Sequence, residues 1–248
     1  MQNLLILGGT TEATLLAEAV TAAGIRATLS YAGRVAVPRA QPVAVRIGGF
    51  GGVAGLVSYL RDNAVTELID ATHPFADQMS RHAAEAAAIT GTRLLAFVRP
   101  AWVAEPGDRW TLVPDLAAAA LALAGPPRRV FLAVGRQHLA QFATQPQHHY
   151  LLRLIDPPVD LPLPRAHSVV ARGPFDVAGD LALLQAHAID TVVAKNSGGS
   201  GAEAKIIAAR ALGLAVILIE RPQSPVRPEA GALDAVMGWL GHPALRGV

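Results

Sequence analysis

Short unbroken apolar runs alternate along the chain with longer stretches in which Ala and Leu are spaced by polar residues. The first run, Leu4–Leu7, ends in glycines, the pattern of a strand buried on both faces. Thr11–Ala23 then predicts a helix closed by Gly24, Arg26–Ser30 a second strand and Val43–Ile47 a third. A helix is predicted from about Val53 to Asn63, a strand at Glu67–Asp70, a helix opened by Pro74 and running to about Thr90, and a fifth strand at Arg93–Val98. Strands separated by helices imply βαβ units and a parallel sheet.

Arg99–Asp108 is rich in Pro, Gly and Trp and reads as a crossover between domains. The alternation resumes beyond it. Strands are predicted at Trp110–Val113, Arg129–Val134, Tyr150–Leu154, Ser168–Ala171, Thr191–Ala194 and Ala215–Ile219. Helices are predicted at Asp115–Ala124, Gln137–Ala143, Pro174–His187, Glu203–Leu212 and Ala230–Leu240, with loops at Asp156–Arg165 and Arg221–Pro228. The expected fold is α/β, with two Rossmann-like parallel-sheet domains and a ligand cleft between them. Residues 1–100 form the first and 101–248 the second, and the last helix is a candidate to pack back onto the first.

Composition narrows the classes. At 248 residues the chain has room for one large or two small domains. With 52% hydrophobic and 16% charged residues it is not a disordered chain. A formal charge of +2 without a basic run gives no footprint for nucleic acid. The absence of cysteine excludes disulfides, thiolate catalysis and Cys-based zinc sites. The first residues lack a basic leader pattern, and the longest apolar stretch, Leu116–Ala124, is far short of the roughly 20 residues that span a bilayer. A soluble intracellular protein is expected. Lys195 and Lys205 are the only lysines, so the basic side is almost all Arg, which suits planar anions such as carboxylate and phosphate.

Open parallel sheets bind ligands at the carboxyl ends of their strands. After the first strand come Gly8, Gly9, Thr10, Thr11 and Glu12, a glycine turn feeding a helix whose N-terminus suits an anion, with Thr10 or Thr11 as N-cap. It is not the full G-x-G-x-x-G fingerprint, because Thr10 holds the middle glycine position. An NAD-binding fold would carry an acid after the second strand. Here that place reads Ser30, Tyr31, Ala32, Gly33 and Arg34, hydroxyls and a cation that suit the 2′-phosphate of NADPH. Gly49 and Phe50 lie in a four-glycine loop whose backbone can approach a flat ligand. Thr72 and His73 follow the fourth strand, His73 being a candidate proton donor. In the second half, Lys195, Asn196, Ser197, Gly198, Gly199 and Ser200 gather a cation, hydroxyls, an amide and glycines at one strand–helix junction. Arg99, Arg136, Arg153, Arg172 and Arg221 recur at strand ends and are candidates to hold a polyanionic substrate.

Four segments together resemble the precorrin-6A reductase family of cobalamin biosynthesis: Ile6–Ala13, Asp70–Ala76, Lys195–Gly199 and Glu220–Pro222. Their order and spacing match along essentially the whole chain. The resemblance implies a cytoplasmic oxidoreductase that uses NADPH to reduce precorrin-6A, a polycarboxylate tetrapyrrole, to precorrin-6B. Hydride goes to one ring carbon and a proton to its neighbour, with His73, Lys195 or water as donor. It further implies no metal or flavin, no nucleic-acid or membrane partner, and channelling with neighbouring pathway enzymes. The alternatives are a cobalt-precorrin-6A reductase, a non-catalytic NADP-binding sensor, and a methyltransferase, against which the missing acid after the second strand counts.

Overall fold

The computed structural model describes residues 2–33, 40–158, 160–173 and 175–241. Its elements run β1 (Asn3–Leu7), α1 (Thr11–Ala22), β2 (Arg26–Tyr31), β3 (Ala44–Ile47), α2 (Gly52–Asp62), β4 (Glu67–Asp70), α3 (Asp77–Thr90) and β5 (Arg93–Phe97). They continue with β6 (Arg109–Val113), α4 (Leu116–Ala122), β7 (Arg129–Ala133), a 3-10 helix (Arg136–Thr144), β8 (His149–Leu154), β9 (Ala166–Val170), α5 (Val177–Ala186) and β10 (Thr191–Lys195). A 3-10 turn (Ser200–Ala202), α6 (Ala204–Ala211), β11 (Ala215–Ile219), β12 (Glu229–Ala230) and α7 (Leu233–Trp239) complete the chain. Two compact units result: Met1–Pro100 with Gln223–Val248, and Ala101–Pro222.

The first unit is a six-stranded parallel sheet in the order β3-β2-β1-β4-β5-β12, the doubly wound order of a dinucleotide-binding sheet. Alternation along β1 explains how both faces are filled. Leu4 and Ile6 pack with Leu16, Val20 and Leu29 in one core layer, whereas Leu5 and Leu7 pack with Leu56, Leu60 and Ala83 in the other. Each fully buried Leu or Ile contributes about 1.5–3 kcal/mol, so a continuous apolar run, not an alternating one, marks this strand.

The second unit has its own six-stranded parallel sheet, in the order β9-β8-β7-β10-β11-β6. Its five strands from β7 to β11 repeat the winding of the first sheet, and the sixth place falls to β6, which precedes them in sequence. Phe131, Leu151, Val192 and Leu218 form its core with Trp102, Ile206 and Ala209.

Five local readings change. The segment after Pro222 belongs with the first unit: Ala96 and Val98 donate backbone hydrogen bonds to Pro228 and Ala230, and Val236, Met237 and Leu240 enter its core. Ala230 is therefore strand, and the last helix starts at Leu233 instead of Ala230. Pro74 does not open α3, because a turn anchored on His73 intervenes, with Ala76 N–H donating to His73 O at 2.7 Å. The predicted helix at Gln137–Ala143 is a 3-10 helix, in keeping with the three-residue spacing of its buried Leu139 and Phe142. The helix expected from Pro174 begins at Val177, capped by Asp176, and Pro174 itself lies outside the described residues.

Candidate active site

In the first unit the winding reverses between β1 and β4, and ligands bind at such a reversal, off the carboxyl ends of the strands. The loop after β1 is built for close approach. A Cβ on Gly8 would stand 2.5 Å from Leu29 Cδ1 and 3.3 Å from Ala13 Cβ, so a larger residue would push the buried Leu29 side chain aside where β1 turns into α1. Gly9 has φ +115° and open space where a side chain would sit. Thr10, not Thr11, is the N-cap: its hydroxyl accepts from Ala13 N–H at 3.1 Å and donates to Ala71 O at 2.8 Å, tying the two loops across the reversal. The N-terminus of α1 thus faces the side on which the loops lie, with the positive end of the helix dipole. Glu12, in its first turn, is held by Arg99 Nη1 at 2.5 Å, both side chains being mostly buried. That ion pair neutralises the carboxylate that would repel a phosphate there.

The loop after β4 is pinned from within. Asp70, 1% exposed, accepts from Thr72 N–H and hydroxyl at 3.1 and 2.6 Å, from Ser80 hydroxyl at 2.6 Å and from Arg227 Nη2 at 3.3 Å. Thr72 is therefore bonded inward to Asp70. His73 Nδ1 accepts from Phe75 N–H at 3.2 Å, so the proton of its neutral ring resides on Nε2.

At the end of β2, Ser30 is buried and its carbonyl accepts from Gly8 N–H at 2.9 Å. Tyr31 hydroxyl accepts from Gln41 Nε2 at 2.8 Å. Gly33 has φ +77°, and Arg34 lies outside the described residues. The residue that sequence reasoning missed is Arg46, on β3 directly opposite Ser30. Its guanidinium donates to Ser30 Oγ at 3.3 Å, to Gly48 O and to Gly49 O at 2.8 Å, and lies 3.8 Å from the centroid of the Phe50 ring. Gly49 and Phe50 are thereby fixed in place. The available signal was position: an Arg two residues before a glycine loop, on the strand beside β2.

In the second unit the winding reverses between β7 and β10. The junction after β10 is braced from two sides, by the Trp102 segment and by Arg221. Asn196 exchanges two hydrogen bonds with the Trp102 backbone, at 2.8 and 3.1 Å, and the Trp102 indole N–H donates to Gly199 O at 3.0 Å. Arg221 donates to the Asn196 and Ser197 carbonyls at 2.9 and 3.0 Å. Lys205, buried, lies 4.9 Å from the Trp102 ring. Asn196 and Arg221 thus act first as braces. Ser197 is buried, Ser200 is exposed, and Gly198 and Gly199 have φ +65° and +68°, a backbone turn that can present successive N–H groups to an anion. Lys195 ends β10 at the head of this loop. Arg136 opens the 3-10 helix after β7, exposed, and Arg172 is exposed after β9. Arg153 is placed otherwise: it pairs with buried Asp180 and stacks 3.6 Å from the Phe175 ring centroid. Sequence reasoning also missed Trp102, whose segment read only as a crossover.

Among the described residues there is no cluster of metal-ligating side chains and no helix long and apolar enough to cross a membrane.

Doubly wound sheets, a glycine turn on a helix N-terminus and a braced loop headed by Lys195 define an α/β protein with a Rossmann-like fold. Residues 3–241 match the family model described as precorrin-6x reductase CbiJ/CobK, and the chain belongs to that family. It is 61% identical to the precorrin-6A reductase of Rhodobacter capsulatus over 97% of this chain and 96% of that one. It is 30% identical to the cobalt-precorrin-6A reductase of Priestia megaterium over 89% and 91% of the two chains. A solved structure titled CobK precorrin-6A reductase covers all of both chains with a TM-score of 0.96 at 60% identity.

Proposed function

We propose that this chain reduces precorrin-6A to precorrin-6B with NADPH, binding the cofactor on its first unit. One observation carries the choice of cofactor. At the end of β2, where a ribose-binding acid would sit, there is a buried serine opposed by an arginine. The residues present fit a dinucleotide: Gly9 leaves open backbone at the head of α1, and Arg99 removes the charge of Glu12 from that helix end. Gly8, Gly9, Thr10 and Thr11 would hold the pyrophosphate. Ser30, Tyr31, Gly33 and Arg34 would surround the adenosine ribose, with Gly49 and Phe50 beside them.

When bound, the reduced nicotinamide supplies the hydride. The chain's own groups bind, orient and protonate. His73, with Nε2 carrying the proton of the neutral ring, and Lys195 are the candidates to deliver a proton to the carbon beside the reduced one. The Lys195–Ser200 loop, with Arg136 and Arg172, offers cationic and N–H donors to the carboxylate arms of the tetrapyrrole. No covalent intermediate is required, so positioning and charge stabilisation carry the catalysis. The enzyme works in the cytoplasm without metal, nucleic acid or membrane, and passes its product to neighbouring pathway enzymes.

The test is anaerobic mixing of enzyme, NADPH and precorrin-6A, following the reduced-nicotinamide absorbance. Stoichiometric loss only when the tetrapyrrole is present is expected. Binding of NADPH without turnover of either precorrin-6A or its cobalt form would overturn the reading in favour of a sensor, and turnover of the cobalt form alone would reassign the substrate.

A further inference from the structure

We propose that Arg46 is the specificity-determining residue that makes this reductase prefer NADPH to NADH, by pairing with the 2′-phosphate. The proposal rests on the reading of the first unit as the cofactor unit, and deepens it.

Arg46 occupies the register position opposite Ser30 on the neighbouring parallel strand. Its side chain therefore reaches the place at the end of β2 where doubly wound folds distinguish the two cofactors. Its hydrogen-bond and ring partners among the described residues are neutral: Ser30 Oγ, the carbonyls of Gly48 and Gly49, the Phe50 ring at 3.8 Å and the Tyr59 ring at 5.3 Å. Among the described residues no carboxylate lies within 4.0 Å of it. The partly buried guanidiniums of Arg99, Arg153, Arg210 and Arg227 each meet one. A guanidinium has more N–H donors than these three oxygens use. Arg46 is thus a cation with spare donors and an unneutralised charge, and its side-chain freedom has already been lost to the stack on Phe50. Such a group gains most from a dianion and can meet it with a two-pronged contact.

The experiment compares Arg46→Gln and Arg46→Lys with the wild type in the full chain. Readouts are KM and kcat with NADPH and with NADH, binding of 2′,5′-ADP and of 5′-AMP, and thermal melting. Arg46→Gln is expected to raise KM for NADPH by about 10- to 100-fold more than KM for NADH and to weaken 2′,5′-ADP by the same factor relative to 5′-AMP, because the smaller loss from loosening Gly49 and Phe50 falls on both cofactors alike. Arg46→Lys, which keeps charge but not the fork, is expected to fall between and to melt like the wild type. Equal losses with NADPH and NADH, or unchanged NADPH kinetics in both variants, would overturn the proposal. If Arg46→Gln fails to fold, a Lys variant with unaltered discrimination between 2′,5′-ADP and 5′-AMP would do the same. Wild-type protein that binds neither NADPH nor 2′,5′-ADP would instead sink the cofactor reading beneath it.

Discussion

Arginines of one composition serve three different ends in this chain. Arg99 and Arg153 are tied to Glu12 and Asp180, Arg221 braces two carbonyls, and Arg136 stands exposed at a strand end. Sequence position alone groups them together, because it shows the strand end but not the carboxylate across the fold. Candidate proton donors separate more cleanly. His73→Gln is expected to slow single-turnover reduction by about 10²–10⁴-fold if its Nε2–H is the donor, and Lys195→Met the same if the ammonium is. Rapid mixing at saturating NADPH distinguishes them, and unchanged rates in both variants assign the proton to water. Asp70 is a different kind of residue, a buried acceptor for Thr72, Ser80 and Arg227. Asp70→Asn leaves the almost wholly buried Arg227 with the half-exposed Glu229 carboxylate, 3.9 Å away, in place of its buried 3.3 Å partner, and is expected to cost about 3 kcal/mol, read from urea midpoints.

At the scale of elements, the informative feature is how loops are held. The glycine loop after β3 rests on α2 because Gly55 has no side chain: a Cβ there would overlap the Phe50 carbonyl oxygen. Gly55→Ala is expected to destabilise by about 1–3 kcal/mol and to raise KM for NADPH by displacing Phe50, as denaturant titration and steady-state kinetics would show. In the second unit, the turn Glu105–Asp108 is fastened to α6 by Arg210. Burial pushes the Asp108 carboxyl up, but hydrogen bonds from Arg210 and the Glu105 N–H, with the guanidinium charge, outweigh it and hold the group below its ordinary 3.8. A depressed carboxyl stabilises the fold above its unfolded value and loses that contribution as pH falls through the folded one. Stability should therefore drop below about pH 4, and Asp108→Asn should flatten that limb of a melting-temperature profile while lowering stability at pH 7. The helix boundaries show where local pattern runs out. Thr11, Glu67 and Ala215 begin their elements as the apolar pattern predicts, whereas α3 begins at Asp77 because His73 organises a turn that no periodicity reveals.

For the molecule as a whole, the alternation of apolar runs and helical stretches was sufficient to read two parallel α/β sheets. Parallel strands covered on both faces are continuously apolar, and that signal is strong in Leu4–Leu7 and Ala215–Ile219. The glycine turn and the Lys195 loop were legible for a related reason: residues with few structural alternatives stand at strand ends. What stayed hidden depends on distance in sequence. Arg46 meets Ser30 and Phe50, Trp102 meets Asn196, and Arg227 meets Asp70 only after the sheets have formed. The two-residue strand Glu229–Ala230 is likewise too short to carry a pattern of its own.

That short strand has a bearing on biosynthesis. Among the described residues, the outer β5 edge of the first unit is covered by a strand that is translated after the whole of Ala101–Pro222. A ribosome therefore releases the middle of the protein able to close its own sheet while the beginning still carries a bare, apolar hydrogen-bonding margin. Until the Glu229–Ala230 strand emerges, that margin is the place where nascent chains can pair with one another, and a premature stop near Pro222 would make the hazard permanent.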